Sequence, residues 1–144
     1  MSSIKTLLPS EFKFSCEIPV RITDLNYGGH VGNDSMLTLA HEARVRFLAH
    51  HGYSEMNLGG VSLMLTKASL ELRRELFYGE PLFAAVDAGN FTSKGFDLFY
   101  KLEKKTSHGT MEMVAAIITT MVCYDYTQKK IVGLPAEVIT QLGS

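Results

Sequence analysis

The chain has 144 residues, 46% of them hydrophobic and 20% charged, and its 14 basic and 15 acidic side chains leave a formal net charge of −1. That length suits one domain, residues 1–144, folded around one core. The near-neutral balance, with no basic stripe carrying interleaved aromatics, argues against a nucleic-acid partner. The most apolar run, "MVAAIITTMVCY", is too short and too threonine-rich to span a bilayer. "MSSIKTLLPSEFKF" lacks the apolar stretch of an export signal, so a cytoplasmic location is expected. Cys16 and Cys123 form no CxxC pair, fall in strand-like runs and read as small buried hydrophobes of a reducing compartment. With the five histidines they show no ligand spacing, so no metal is expected.

Residues 12–22 alternate, with Phe12, Phe14, Cys16, Ile18, Val20 and Ile22 facing one way and Lys13, Ser15, Glu17, Pro19 and Arg21 the other. This is the pattern of a half-buried strand, and Pro19, which has no N–H to donate, places it at a sheet edge or gives it a bulge. The polar run "TDLNYGGHVGN" follows over residues 23–33. Next comes a helical period over residues 34–51: Met36, Ala40, Ala43 and Phe47 make an apolar stripe that Leu39 widens. Asn33 or Asp34 suits its N-cap, His50, His51 and Gly52 close it, and its span is about 27 Å.

Strand-like runs then cover residues 61–76, 82–92, 96–104 and 110–126, separated by "YGEP", "SKG" and "SHG". Connections this short make successive strands antiparallel, and one helix followed by many strands is an α+β pattern. The last strand is apolar on both sides, with Met111, Met113, Ala115 and Ile117 opposed to Val114, Ala116, Ile118 and Val122. A lone helix covers only one face, so a partner subunit is expected on the other. "GLPAEVITQL" closes the chain as a short helix with Pro135 in its first turn.

A strand, a polar loop, one long helix and a twisted antiparallel meander resemble the hotdog fold, an antiparallel five-stranded sheet wrapped around one helix. "DLNYGGHVGN" resembles the D-x-[DN]-x-x-G-H-[VI]-x-N segment of the acyl-CoA thioesterases related to 4-hydroxybenzoyl-CoA thioesterase, with Asp24, Asn26, Gly29, His30, Val31 and Asn33 in register. "HEARVRFL", "FYGEPL" and "TQKKIVGLPAEV" are similar to later segments of that family in the same order, so the resemblance runs over nearly the whole chain. It departs at Asn26, where several members place an aspartate that acts as nucleophile or general base. The resemblance implies a cofactor-free thioesterase acting on an acyl-CoA or acyl-carrier-protein thioester. It also implies a homodimer or homotetramer whose sites lie where one protomer's loop meets its partner's helix. Two alternatives stand beside it: an enoyl-thioester hydratase or dehydratase on the same fold, and a non-catalytic acyl-thioester binding subunit.

Thioester hydrolysis needs an activated water or nucleophile and donors aimed at the developing oxyanion. Asp24 is a candidate general base or a group that orients His30; it equally suits a turn cap. His30 can hold water, act as base or donate to the carbonyl. Asn26 cannot accept a proton, but its amide can orient water or polarise the carbonyl, or simply stabilise a turn. Backbone N–H groups at Gly29, His30 and Val31 approach a helix N-terminus and are candidate oxyanion donors, with Asn33 as N-cap or substrate contact. Glu42 lies about 13 Å along the helix from Asn33, so it either faces a partner's loop or pairs with Arg46 one turn on. Arg73, Arg74 and Lys94 can grip coenzyme A phosphates or form a solvated face.

Overall fold

A computed structural model describes residues 3–143. The first strand, β1 (Phe14–Ile18), ends where Pro19 removes a ladder donor, so the alternating run of the sequence is cut short. The chain then turns through a single 3-10 turn at Ile22–Asp24, and Ile22, expected inward, is exposed. Helix α1 (Asn33–His50) follows one residue earlier than its periodicity indicated. Its N-cap is Gly32, which makes no side-chain cap bond, rather than Asn33 or Asp34. Met36, Leu39, Ala40, Ala43 and Phe47, the expected stripe, are all buried, and Leu48 and Arg44 widen it.

Strands β2 (Ser62–Leu72), β3 (Leu82–Gly89), β4 (Gly95–Lys105) and β5 (Met111–Asp125) follow, then a two-residue β6 (Lys130–Ile131) and helix α2 (Ala136–Gly143). The sheet order is β1-β3-β4-β5-β2, with β6 added to β5 and every pairing antiparallel. The expected meander holds for β3, β4 and β5. β2 instead pairs with β5 at the far edge, and residues 73–81 carry the chain away from it to β3. β1 is an edge strand, one of the two placements that Pro19 allowed.

The core lies between α1 and the concave face of this sheet. Phe47 meets the Phe14 ring edge-on with centroids 5.8 Å apart, and Leu82, Val86, Leu98, Leu102, Ile117 and Met121 close around the helix stripe. Each fully buried side chain of this size contributes about 1.5–3 kcal/mol. Cys123 is buried with its thiol pushed up to about 11 by burial, whereas Cys16 is half-buried.

Part of the other sheet face is covered by the chain itself, where a partner alone was expected. A 3-10 turn at Ile4–Leu7 packs on β2 and β5. It is tied there by Glu71, which accepts from Ser3 Oγ at 2.7 Å and from the Ile4 N–H at 2.9 Å.

Candidate active site

The polar run 23–33 folds as a hairpin that rises from the 3-10 turn and descends into α1. Asp24 anchors its base. Asp24 is buried, and its carboxylate accepts the Arg21 N–H at 2.8 Å, Arg21 Nε at 3.4 Å and Arg21 Nη2 at 3.1 Å. These bonds raise the Arg21 guanidinium above its ordinary pKa, and they engage both carboxylate oxygens. Asp24 thus caps its own turn, one of the two readings the sequence allowed.

Above it Leu25 bridges Val31, and the Asn26 N–H donates to the His30 carbonyl at 2.9 Å. The tip is a three-residue loop closed by the Gly29 N–H to the Asn26 carbonyl at 3.1 Å, with Gly29 at φ +80. A type I turn followed by a left-handed residue is a common way to close a hairpin of this length, and glycine takes that conformation without strain. The Asn26 side chain tightens the tip by accepting the Gly28 N–H at 2.9 Å through Oδ1, which leaves its Nδ2 donors facing the Gly32 side.

The descending arm pairs with a distant segment. The Val31 N–H donates to the Leu76 carbonyl at 2.8 Å, and His30 bridges Phe77. Two of the backbone donors expected to be bare, at Gly29 and Val31, are therefore engaged within the chain. The first-turn N–H groups of α1, beginning at Asn33, lie at the positive end of the helix dipole instead.

His30 stands at the tip, its side chain 33% exposed. Nδ1 lies 3.3 Å from the Val31 carbonyl, Nε2 lies 3.9 Å from Glu75 Oε1, and the ring meets Phe77 edge-on at 6.3 Å. Gly28 sits between the imidazole and Asn26: a Cβ there would stand 3.2 Å from His30 Cδ2 and 3.3 Å from Asn26 Oδ1. A side chain at this position would crowd both the imidazole and the amide oxygen. On the α1 side of the hairpin a cleft of about 360 Å³ is lined by Asp24, Asn26, Tyr27, Gly32, Asp34 and Ser35.

The structure brings Asn26 and His30 together around Gly28, with Asp24 at the hairpin base. It does not bring in the other candidates. Glu42 accepts Arg46 Nε at 2.8 Å, the helical pair the sequence allowed, and opens on a separate cleft between α1 and the end of β1. Arg73 pairs with Glu71 at 2.6 Å and Arg74 with Glu112 at 2.9 Å, while Lys94 sits in the β3–β4 turn. The two arginines are thus engaged in ion pairs with neighbouring carboxylates. Nothing in the sequence singles out Glu75, which reads there as the end of a strand. Only the pairing of residues 30 and 31 with 76 and 77 reveals its place. Among the described residues no group of three or more His, Cys, Asp or Glu side chains is placed to hold a metal ion, and no helix is long and apolar enough to cross a membrane.

A curled antiparallel sheet wrapped on one long helix, with a polar hairpin at the helix N-terminus, defines the hotdog fold. The family model described as the thioesterase-like superfamily matches residues 20–142, and the chain belongs to that superfamily. Among solved structures it is similar to a 1,4-dihydroxy-2-naphthoyl-CoA thioesterase from Synechocystis, with 23% identity, 91% of this chain and 96% of that one covered, and a TM-score of 0.79. The 4-hydroxybenzoyl-CoA thioesterase from Pseudomonas sp. strain CBS-3 shares 13% identity over 91% of this chain and 99% of its own, at a TM-score of 0.79. A thioesterase from Thermus thermophilus, complexed with coenzyme A and Zn, shares 18% identity over 93% of this chain and 100% of its own, at a TM-score of 0.78. At these identities the likeness shows the shared fold. No curated protein sequence matches.

Proposed function

We propose that this protein is a thioesterase that hydrolyses an acyl-CoA or acyl-carrier-protein thioester to free acid and thiol. One observation carries the reading: in a chain of the thioesterase-like superfamily, the hairpin at the start of α1 brings the Asn26 amide and the His30 imidazole to either side of Gly28. Water attacks the carbonyl carbon, the carbonyl oxygen gains negative charge, and the C–S bond breaks to release the thiol. Donors preorganised for that oxygen are the largest single aid to such a step. The Asn26 Nδ2 donors and the first-turn N–H groups of α1, from Asn33 on, serve it.

His30 handles the water, and Asp24 holds the hairpin through Arg21. Gly29 and Val31 fix the tip with their N–H groups rather than presenting them to the oxyanion. Ile22 and Tyr27, both exposed beside the hairpin, suit cover by a second copy in a homodimer or homotetramer. In that assembly Glu42 would face the partner's hairpin. Arg73 and Arg74 would serve the coenzyme A phosphates by exchanging Glu71 and Glu112 for them, and Lys94 would serve them from the β3–β4 turn.

The test is a screen of free-thiol release over acyl-CoAs from short to long, with one aroyl-CoA and one acyl-carrier-protein thioester. Thiol release above the buffer rate supports the reading. A change in enoyl absorbance without thiol supports the hydratase alternative, and saturable binding without either supports a binding subunit.

A further inference from the structure

We infer that Glu75 is the carboxylate that activates the hydrolytic water, with His30 holding that water opposite it. The inference rests on the thioesterase reading above and names the proton acceptor that reading lacks. Hydrolysis needs a base within reach of the water, and an amide at position 26 cannot accept its proton.

The carboxylates near the hairpin differ in what they have left to give. Asp24 is buried with both oxygens held by Arg21, and Glu42 is engaged by Arg46 further along α1. Asp34 sits against Gly32 in the first turn of α1, where a Cβ at Gly32 would stand 2.9 Å from its Oδ1. Glu75 is the carboxylate that faces the imidazole. Its side chain is 64% exposed, and Oε1 lies 3.9 Å from His30 Nε2. That separation is too long for a direct hydrogen bond, and it suits two groups that share one water.

The segment presenting Glu75 is held firmly. The Leu76 carbonyl takes the Val31 N–H, and Lys104 Nζ donates to the Glu75 carbonyl at 2.8 Å and pairs with Glu80 at 3.2 Å. Glu80 Oε1 accepts the Phe77 N–H at 2.8 Å, and the Glu80 N–H returns to the Phe77 carbonyl at 3.2 Å across Gly79, whose φ is +87. The turn thus fixes the Glu75 backbone and leaves its carboxylate unspent. Phe77 walls one edge of the His30 ring, and Gly28 leaves the approach from Asn26 open.

With the Val31 carbonyl facing Nδ1, the ring carries its proton there and Nε2 accepts one hydrogen bond from the water. Glu75 takes the other proton as the water oxygen bonds to the carbonyl carbon. When the tetrahedral intermediate collapses, the C–S bond breaks and Glu75 returns the proton to the departing thiolate. One thioester and one water give one carboxylic acid and one thiol, with Glu75 restored.

The experiment compares wild type, Glu75→Gln and Glu75→Asp on the acyl-CoA that wild type cleaves fastest, and records the ¹⁵N imidazole resonances of His30 in wild type and Glu75→Gln. We expect kcat to fall about 100-fold in Glu75→Gln with KM within about threefold, and part of the rate to return in Glu75→Asp. The His30 Nε2 resonance should move in Glu75→Gln, a readout that needs no turnover. If Glu75→Gln keeps the wild-type kcat while wild type releases thiol, the inference is overturned and the thioesterase reading stands. An unmoved His30 resonance overturns the juxtaposition itself. A wild type that releases no thiol from any substrate overturns both.

Discussion

Two polar clusters flank α1, and they are built in opposite ways. Beneath the helix Arg44, 6% exposed, donates from Nε to Glu55 Oε1 at 3.0 Å and from Nη1 to the Tyr100 hydroxyl at 3.1 Å. Tyr100 pairs in turn with Thr119 Oγ1 at 2.7 Å, burial pushes its hydroxyl pKa up, and Glu55 Oε2 meets His41 Nε2 at 2.7 Å. Among the described residues no buried side-chain nitrogen or oxygen lacks a partner. At the hairpin, Asn26 and His30 flank Gly28, which holds no side chain, and Glu75 faces the imidazole from 3.9 Å with its carboxylate exposed. A closed network holds elements in place because breaking any link strands a buried polar group. An open one costs the fold little and is free to meet a substrate.

That contrast can be broken most forcefully from inside. Replacing Arg44 with leucine leaves Glu55 only the exposed His41 as a partner and should cost about 1–3 kcal/mol, read by denaturant unfolding. A loss below about 1 kcal/mol, the range of exposed pairs, would show that the inner network is not a clamp. At the hairpin the expected order is reversed, with activity moving more than stability. Gly28→Ala places a methyl 3.2 Å from the His30 ring, and thiol release should fall about tenfold while stability shifts by less than about 1 kcal/mol. Equal rates in the two proteins would mean that the space over Gly28 is not where substrate lies.

The smallest effect lies at the far end of α1. Burial against Phe47, 4.9 Å away, and the neighbouring charge of His50 hold the His51 imidazole below its ordinary 6.5. The folded chain thus binds that proton less well than the unfolded one. Its contribution to stability is full above pH 6.5 and is lost as the pH falls below that value. A Tm recorded from pH 8 to pH 5 should decline at the acid end, and less steeply in His51→Gln.

What could be read in the sequence follows the range of the forces involved. The stripe from Met36 to Phe47 located α1 to within one residue because a buried helix face repeats locally. The antiparallel run of β3, β4 and β5 was legible from its turns for the same reason. β1 is shorter than the alternation suggests, since the pattern continues past Pro19 while the ladder cannot. The pairing of β2 with β5 is a long-range choice that no local pattern encodes. The site divides in the same way. Asn26, Gly28 and His30 lie within one hairpin and appear together in the sequence, whereas Glu75 joins them only through the bridge of His30 with Phe77.

The most direct measurement is the initial rate of thiol release from the best acyl-CoA substrate by wild type and by His30→Ala, each checked for the same Tm. If the open hairpin is the catalytic site, wild type releases thiol and His30→Ala does so at least about 100-fold more slowly with its fold intact. Equal rates in the two proteins, or no thiol from either, would contradict the account.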